Sequence, residues 1–269
     1  MLTLEGLSYR HAGASRPALR AIDLVLRDGE VLGVAGANEA GKTTLCFVLS
    51  GLAPRSIGGT LGGRLLVDGV DASTLKMHEM TEQVGIGFDN PSTQITGVAR
   101  TVYEEIAFGP SNLGLAHDEV LRRTETSLDA LGINHLAERE PGRLSGGQQQ
   151  LVAVASILAM RPRHIVLDEP TAQLDPAGTE LVGDAIARLA AQGVSILVVE
   201  HKTDLLARVA NRIVVMEAGA IALEGPTAEI LADPRLPELG VAEPSLVRLR
   251  RAFTTAGLDP SRVPEDMAS

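Results

Sequence analysis

Along the chain, short apolar runs rich in valine, isoleucine and leucine alternate with stretches of helical period, the pattern of a mainly parallel sheet covered by helices. Residues 2–10 and 19–27 read as two strands divided by the turn-like His11-Ala12-Gly13-Ala14-Ser15, which predicts a small antiparallel β-region. A buried-strand pattern follows over Glu30–Ala35. From about Thr101 to Met160 the period becomes helical. Within Asp118–Leu131, for example, Val120, Leu121, Leu128 and Leu131 fall on related faces. Strands return at His164–Leu167 and Val194–Val199, and a tail from Thr227 carries Pro234, Pro237 and Pro244 before an amphipathic helix that starts near Ser245. The expected class is α/β. One unit is expected over residues 1–226, with a helical subdomain inserted at about 91–160, followed by a helical extension over 227–269.

The strand at Glu30–Ala35 runs straight into Gly36-Ala37-Asn38-Glu39-Ala40-Gly41-Lys42-Thr43-Thr44 and then an apolar helix start, Leu45–Leu49. A glycine-rich turn that caps a helix would account for the glycines alone. The strand, loop and helix together match a phosphate-binding loop, in which free backbone N–H groups and the positive helix end surround an anion. Lys42 adds a point charge at the β- and γ-phosphates of ATP, and the Thr43 hydroxyl a ligand for Mg2+. Cys46, on the same helix, reads as core.

Two more strands end in chemistry. Ile165-Val166-Leu167 leads into Asp168-Glu169-Pro170, and Val194–Val199 into Glu200-His201. A strand that ends in two acids is often only a solvated turn. In a chain with a phosphate loop, however, ligands bind at the carboxyl edge of the sheet. There Asp168 can hold Mg2+ through water, and Glu169 can polarise the water that attacks the γ-phosphate. His201, at the end of a neighbouring strand, can hydrogen-bond the transferred phosphate. The remaining histidines, His11, His78, His117, His135 and His164, read as structural.

Leu144-Ser145-Gly146-Gly147-Gln148 precedes a helix from about Gln149 to Met160. Taken singly it is a flexible N-cap. Placed between the phosphate loop and Asp168-Glu169, it resembles the signature of the ABC ATPases, which implies a P-loop nucleotide-binding domain of ABC type. That resemblance further implies that Tyr9 stacks on adenine and that the loop with Leu174-Asp175 crosses a dimer interface. Ser145, Gly146, Gly147 and Gln148 of one subunit then close on the ATP of another, so a second ABC ATPase subunit is an expected partner. A narrower likeness lies in Phe88-Asp89-Asn90-Pro91-Ser92-Thr93-Gln94, Ala107–Leu115, Val199–Lys202 and Leu239–Leu249. These stretches resemble the energy-coupling-factor ATPases, which implies import of a metal ion or vitamin with a transmembrane coupling protein and a membrane substrate-binding protein. Asp89 stands where that family has glutamine, at a position that contacts Mg2+ and attacking water. Glu39 replaces a usual glycine and brings a negative charge toward the phosphates unless it points outward.

Composition narrows the alternatives. The 269 residues carry 34 acidic against 24 basic side chains, a formal charge of -10, which argues against nucleic acid as a partner. A single cysteine excludes an internal disulfide and fits a reducing compartment. Met1–Glu5 lacks the order of a secretory signal, and the longest apolar stretch, Leu151–Met160, is well short of the roughly 20 residues a membrane span needs. The expected location is cytoplasmic, on the inner face of the membrane through transporter partners. A soluble ABC ATPase of translation or DNA maintenance, or a weakly hydrolysing member of a heterodimer, are the competing readings.

Overall fold

A computed structural model of the protein describes residues 1–259 and 263. The chain opens with strands β1 (Leu2–Arg10), β2 (Leu19–Leu26) and β3 (Val31–Gly36), followed by helices α1 (Lys42–Leu49) and α2 (Leu52–Arg55). Strands β4 (Thr60–Val67) and β5 (Val70–Asp71), helix α3 (Met77–Gln83) and strand β6 (Val84–Gly87) come next. Three helices then run in succession, α4 (Val102–Asn112), α5 (His117–Leu131) and α6 (Gly146–Met160), before β7 (His164–Asp168). Helix α7 (Pro176–Ala191), strand β8 (Ser195–Val199), helix α8 (Thr203–Val209) and strands β9 (Arg212–Glu217) and β10 (Ala220–Pro226) complete the sheet region. The tail carries α9 (Thr227–Leu231) and α10 (Ser245–Thr255); residues 260–262 and 264–269 of the expected extension lie outside the described residues.

Two sheets form. β2, β1, β4 and β5 make an antiparallel sheet in that order, and β10-β9-β3-β8-β7-β6 make a second sheet that is parallel except for the β9–β10 hairpin. In β3, Val31 and Ala35 enter the core under α4–α6, whereas Leu32 and Val34 enter the core between the two sheets. β8 divides in the same way, with Ile196 and Val198 on one face and Leu197 and Val199 on the other. A strand buried on both faces reads as a continuous apolar run, which is why these segments stand out in the sequence.

Register decides what the sheet does. Val34 lies opposite Val199, Asp168 opposite Val199, and Gly87 opposite Leu167. The carboxyl ends of β3, β6, β7 and β8 therefore finish at one edge, where the phosphate loop, the Asp89 loop, Asp168-Glu169 and His201 leave the sheet. α4, α5 and α6 all lie between β6 and β7, two strands that pair in parallel.

Candidate functional site

The phosphate loop is shaped by close contacts. Gly36 has φ +148, and a Cβ there would stand 2.4 Å from the Met216 carbonyl oxygen. Gly41, the N-cap of α1, has φ +101, with Ala18 O 2.7 Å from such a Cβ. No side chain fits at either position. Glu39 adopts φ +64 with its side chain exposed, so its charge faces water, and the left-handed backbone explains why glycine suits this place. Ala37 and Asn38 are also exposed, while Ala40 is buried beneath them. Lys42 folds back over the loop and its Nζ donates to Gly36 O (2.9 Å) and Ala37 O (2.8 Å). Burial pulls its pKa down, against the opposing charges of Glu169 and Asp168. The tail reaches the loop as well: a Cβ on Gly240 would lie 2.8 Å from Ala37 Cβ.

Asp168 ends β7 only 4% exposed, and its Oδ1 has no hydrogen-bond partner among the described residues. Burial pushes its pKa up to about 6, opposed by a hydrogen bond from Thr43 and reinforced by the charges of Glu169 and Asp89. An orphaned buried carboxylate oxygen beside a threonine hydroxyl and a second acid is an all-oxygen donor set that fits Mg2+. No group of three acids, histidines or cysteines among the described residues could enclose an ion alone. That suits Mg2+, which takes one or two carboxylates together with phosphate oxygens.

Glu169 donates its N–H to Val199 O (3.0 Å), which extends the β7–β8 ladder by one bond, and then turns through φ +50. Residues held in this region cost about 1–3 kcal/mol and cluster at functional sites. The turn aims the side chain at His201, whose Nε2 lies 3.0 Å from Glu169 Oε1. The backbone of His201 is itself fixed, its N–H donating to Glu200 Oε1 at 2.9 Å.

Ser145 caps α6 reciprocally: Gln148 N–H donates to Ser145 Oγ (3.3 Å) and Ser145 N–H to Gln148 Oε1 (3.2 Å). The helix starts three residues earlier than its apolar pattern indicates, so Gly146 and Gly147 form its first turn. They are small for a packing reason. A Cβ on Gly146 would meet Gln173 Oε1 at 2.9 Å, and one on Gly147 would meet Leu174 Cδ2 at 3.0 Å. Asp175, beyond that contact, caps α7 by accepting from Gly178 N–H at 2.7 Å. Among the described residues, no hydrogen bond or ion pair joins Ser145–Gln148 to the phosphate loop.

One expectation fails outright. Tyr9 is 1% exposed, and its hydroxyl donates to Gly58 O, so its ring cannot lie on adenine. The cause is a bulge at Gly6 (φ +54), which shifts the β1 register and turns Leu7 and Tyr9 inward. His11, read as structural, is the residue that reaches the site: its Nε2 lies 3.2 Å from Thr44 Oγ1, and its ring stands edge-on to Tyr9. Its position just past the end of β1, two residues beyond the buried tyrosine, was the available signal. Gln150 also escaped notice. Buried on α6, it donates from Nε2 to Phe88 O (3.2 Å), which joins the signature helix to the Asp89 loop. Asp89 itself is exposed.

With this geometry in hand, comparison with known proteins is decisive. The family model described as ABC transporter matches residues 19–172, more than half of the chain. The chain belongs to the ABC transporter ATP-binding family. An energy-coupling factor transporter ATP-binding protein of Methanosarcina acetivorans is 39% identical over 260 residues, covering 96% of this chain and 91% of that protein. Among solved structures, cbiO1 of Clostridium perfringens, part of the ABC transporter complex cbiONQ, matches with TM-score 0.79 and 29% identity over 96% of this chain and 98% of its own. A dimeric ATP-binding cassette, MJ0796, in a post-hydrolysis state with ADP and phosphate shares the fold at TM-score 0.74 and 24% identity, covering 84% of this chain and 99% of that one. This ABC protein is thus an ATP-hydrolysing subunit of a transporter. Among the described residues no helix is long and apolar enough to cross a membrane.

Proposed function

We propose that this ABC ATPase energises import of the energy-coupling-factor type, of a metal ion or a vitamin. The observation that carries the reading is the convergence of Lys42, Asp168, Glu169 and His201 on one sheet edge, in a chain 39% identical to a protein named for that class. ATP lies along Gly36–Thr44, with its phosphates on the loop N–H groups and Lys42. Thr43 and Asp168, with Asp89 beside them, would hold Mg2+, which would supply positive charge to the phosphates of ATP. Glu169 takes a proton from the attacking water, and His201 holds Glu169 and the phosphate in line. The dimeric structure of the cassette MJ0796, which shares this fold, supports a two-fold dimer. In it each signature faces the partner's ATP and the two Asp175 loops cross between them. The motif-bearing unit spans 1–226, and an extension that carries α9 and α10 follows it.

The membrane partners dock between Asp89 and Leu115. Val98 is 70% exposed, Phe108 40% and Leu113 37%, an apolar set that supports a helix-in-groove contact with a transmembrane coupling protein beside a membrane substrate-binding protein. Ile106, on the same stretch, is fully buried and belongs to the core instead. In this reading the protein is peripheral on the inner face of the membrane. The test of the catalytic reading is Glu169→Gln, whose amide accepts no proton. Turnover is expected to fall about 10²- to 10⁴-fold while ATP binding persists and an ATP-dependent dimer appears on a sizing column. Turnover near wild type removes Glu169 from its role.

A further inference from the structure

Between the acids at the end of β7 and the start of α7, residues 171–175 form an arch whose supports come almost entirely from the end of β8. Thr171 Oγ1 donates to Glu200 Oε2 at 2.6 Å, and both residues are buried. Glu200 Oε1 accepts from the N–H groups of His201 (2.9 Å) and Lys202 (3.2 Å). Lys202 returns from the other side. Its Nζ donates to Thr171 O (2.9 Å), Leu174 O (3.4 Å) and Thr179 Oγ1 (3.0 Å). An ammonium has three protons and no acceptor, and here each proton meets a different point along residues 171–179. The outer side of the arch, Gln173 and Leu174, rests on the two glycines that open α6.

These contacts make one continuous strap: His201, Glu200 and Lys202, then the arch, then Gly146 and Gly147. Because Glu200 holds the backbone of His201 and Lys202 together, a movement of His201 toward or away from a phosphate carries the Lys202 stem with it. The ammonium then carries the arch. We propose that Lys202 is a positioning residue that links the state of His201 in one ATP site to the face its own signature presents to the other site. The inference rests on the dimer reading given above. Lys202 touches no nucleotide in this scheme; it sets the height of the arch.

Removing the ammonium leaves the turn itself intact, since Leu174 N–H still donates to Thr171 O (3.1 Å) and Ala172 N–H to Glu169 O (3.1 Å). What disappears is the set of charge-assisted bonds that ties the turn to β8. The loss is therefore expected in communication between sites and not in nucleotide binding by one chain.

The experiment uses the full chain and its Lys202→Met and Lys202→Arg variants. Steady-state hydrolysis is measured against ATP concentration, and binding of a fluorescent ATP analogue is measured at protein concentrations too low for dimers. In wild type, two coupled sites give a Hill coefficient that approaches the number of sites, about two. For Lys202→Met it is expected to fall toward one, with kcat down about tenfold, about 1.4 kcal/mol, and monomer affinity for the analogue unchanged. Lys202→Arg, which restores donors, recovers most of the cooperativity. An unchanged Hill coefficient and kcat in Lys202→Met overturns the proposal, as does a loss of analogue binding by the monomer. Should Lys202→Met melt well below wild type, Thr179→Val removes a single acceptor and must move both parameters in the same direction; no movement there overturns the proposal equally. Glu169→Gln separates the two readings. If it forms no ATP-dependent dimer, the dimer reading falls; if it does while Lys202→Met behaves as wild type, only the strap falls.

Discussion

Asp168→Asn makes a test of the site that needs no turnover. A carboxyl whose pKa rises from 3.8 to about 6 in the fold binds its proton more tightly folded than unfolded, so the nucleotide-free protein loses stability as pH climbs through that window. The full loss is about 3 kcal/mol at about 1.36 kcal/mol per pH unit. Water that reaches the site past exposed Thr43 and Asp89 screens part of it, which leaves about 1–3 kcal/mol. Asparagine keeps an acceptor for the Thr43 hydroxyl and removes the charge. In a chain of this size each kcal/mol moves Tm by about 2–4 °C, so the variant should melt about 3–8 °C above wild type in calorimetry at pH 7.5 with chelator present. By pH 5 wild type has regained about half of the deficit through protonation, and the gap should narrow to match. With Mg2+ and ATP added the order should reverse, because wild type alone keeps the carboxylate. A variant no more stable at pH 7.5, or a gap that does not shrink at pH 5, would refute the account of Asp168 as a desolvated carboxylate.

Two further predictions concern Asp89 and the docking surface. Asp89→Gln removes one of the charges that raise Asp168, and basal hydrolysis should stay within about tenfold, a barrier change under roughly 1.4 kcal/mol; collapse of that activity would make Asp89 an obligatory Mg2+ ligand. Val98→Glu places a charge on a side chain that already faces solvent, so Tm and basal ATPase should hold while the variant no longer co-purifies with membrane partners. Normal assembly would move the docking surface elsewhere.

The central strands of this fold are legible in the sequence because their burial is symmetrical. β3, β7 and β8 are buried on both faces and appear as unbroken apolar runs. β6 does not, since Val84-Gly85-Ile86-Gly87 is short and half glycine; a Cβ on Gly85 would meet Ile157 at 2.7 Å and one on Gly87 would meet Leu167 at 2.9 Å. Its place is set by what packs across it, which no local pattern records. The β9–β10 hairpin is a different case: Ile213–Met216 is buried on both faces, but β9 opens on the charged Arg212, which is held by Glu30 (2.8 Å), Glu224 and the Val25 carbonyl, partners that no local pattern records. At the site, the phosphate loop and the two acids were plain because strand, turn and helix follow one another directly. Tyr9 was placed at adenine by resemblance alone, and no motif records the bulge at Gly6 that turns it inward. Gly146 and Gly147 seemed to precede α6 because glycine is a poor helix former, whereas they open it to make room for the arch.

The approach of Gly240 to Ala37 bears on how much of this chain handles nucleotide. Phosphate chemistry is written between residues 36 and 201, and a boundary drawn by motif would release everything after Pro226 as an accessory. Packing draws it elsewhere. Leu236 and Val241 sit in the same core as β3, and the turn between them is a wall of the phosphate loop, where even one added methyl would press on Ala37. On the proposed reading, substitution or excision in this tail, outside the stretch that carries the phosphate motifs, alters the cradle itself, so the chain that shapes the ATP site is longer than the chain between those motifs.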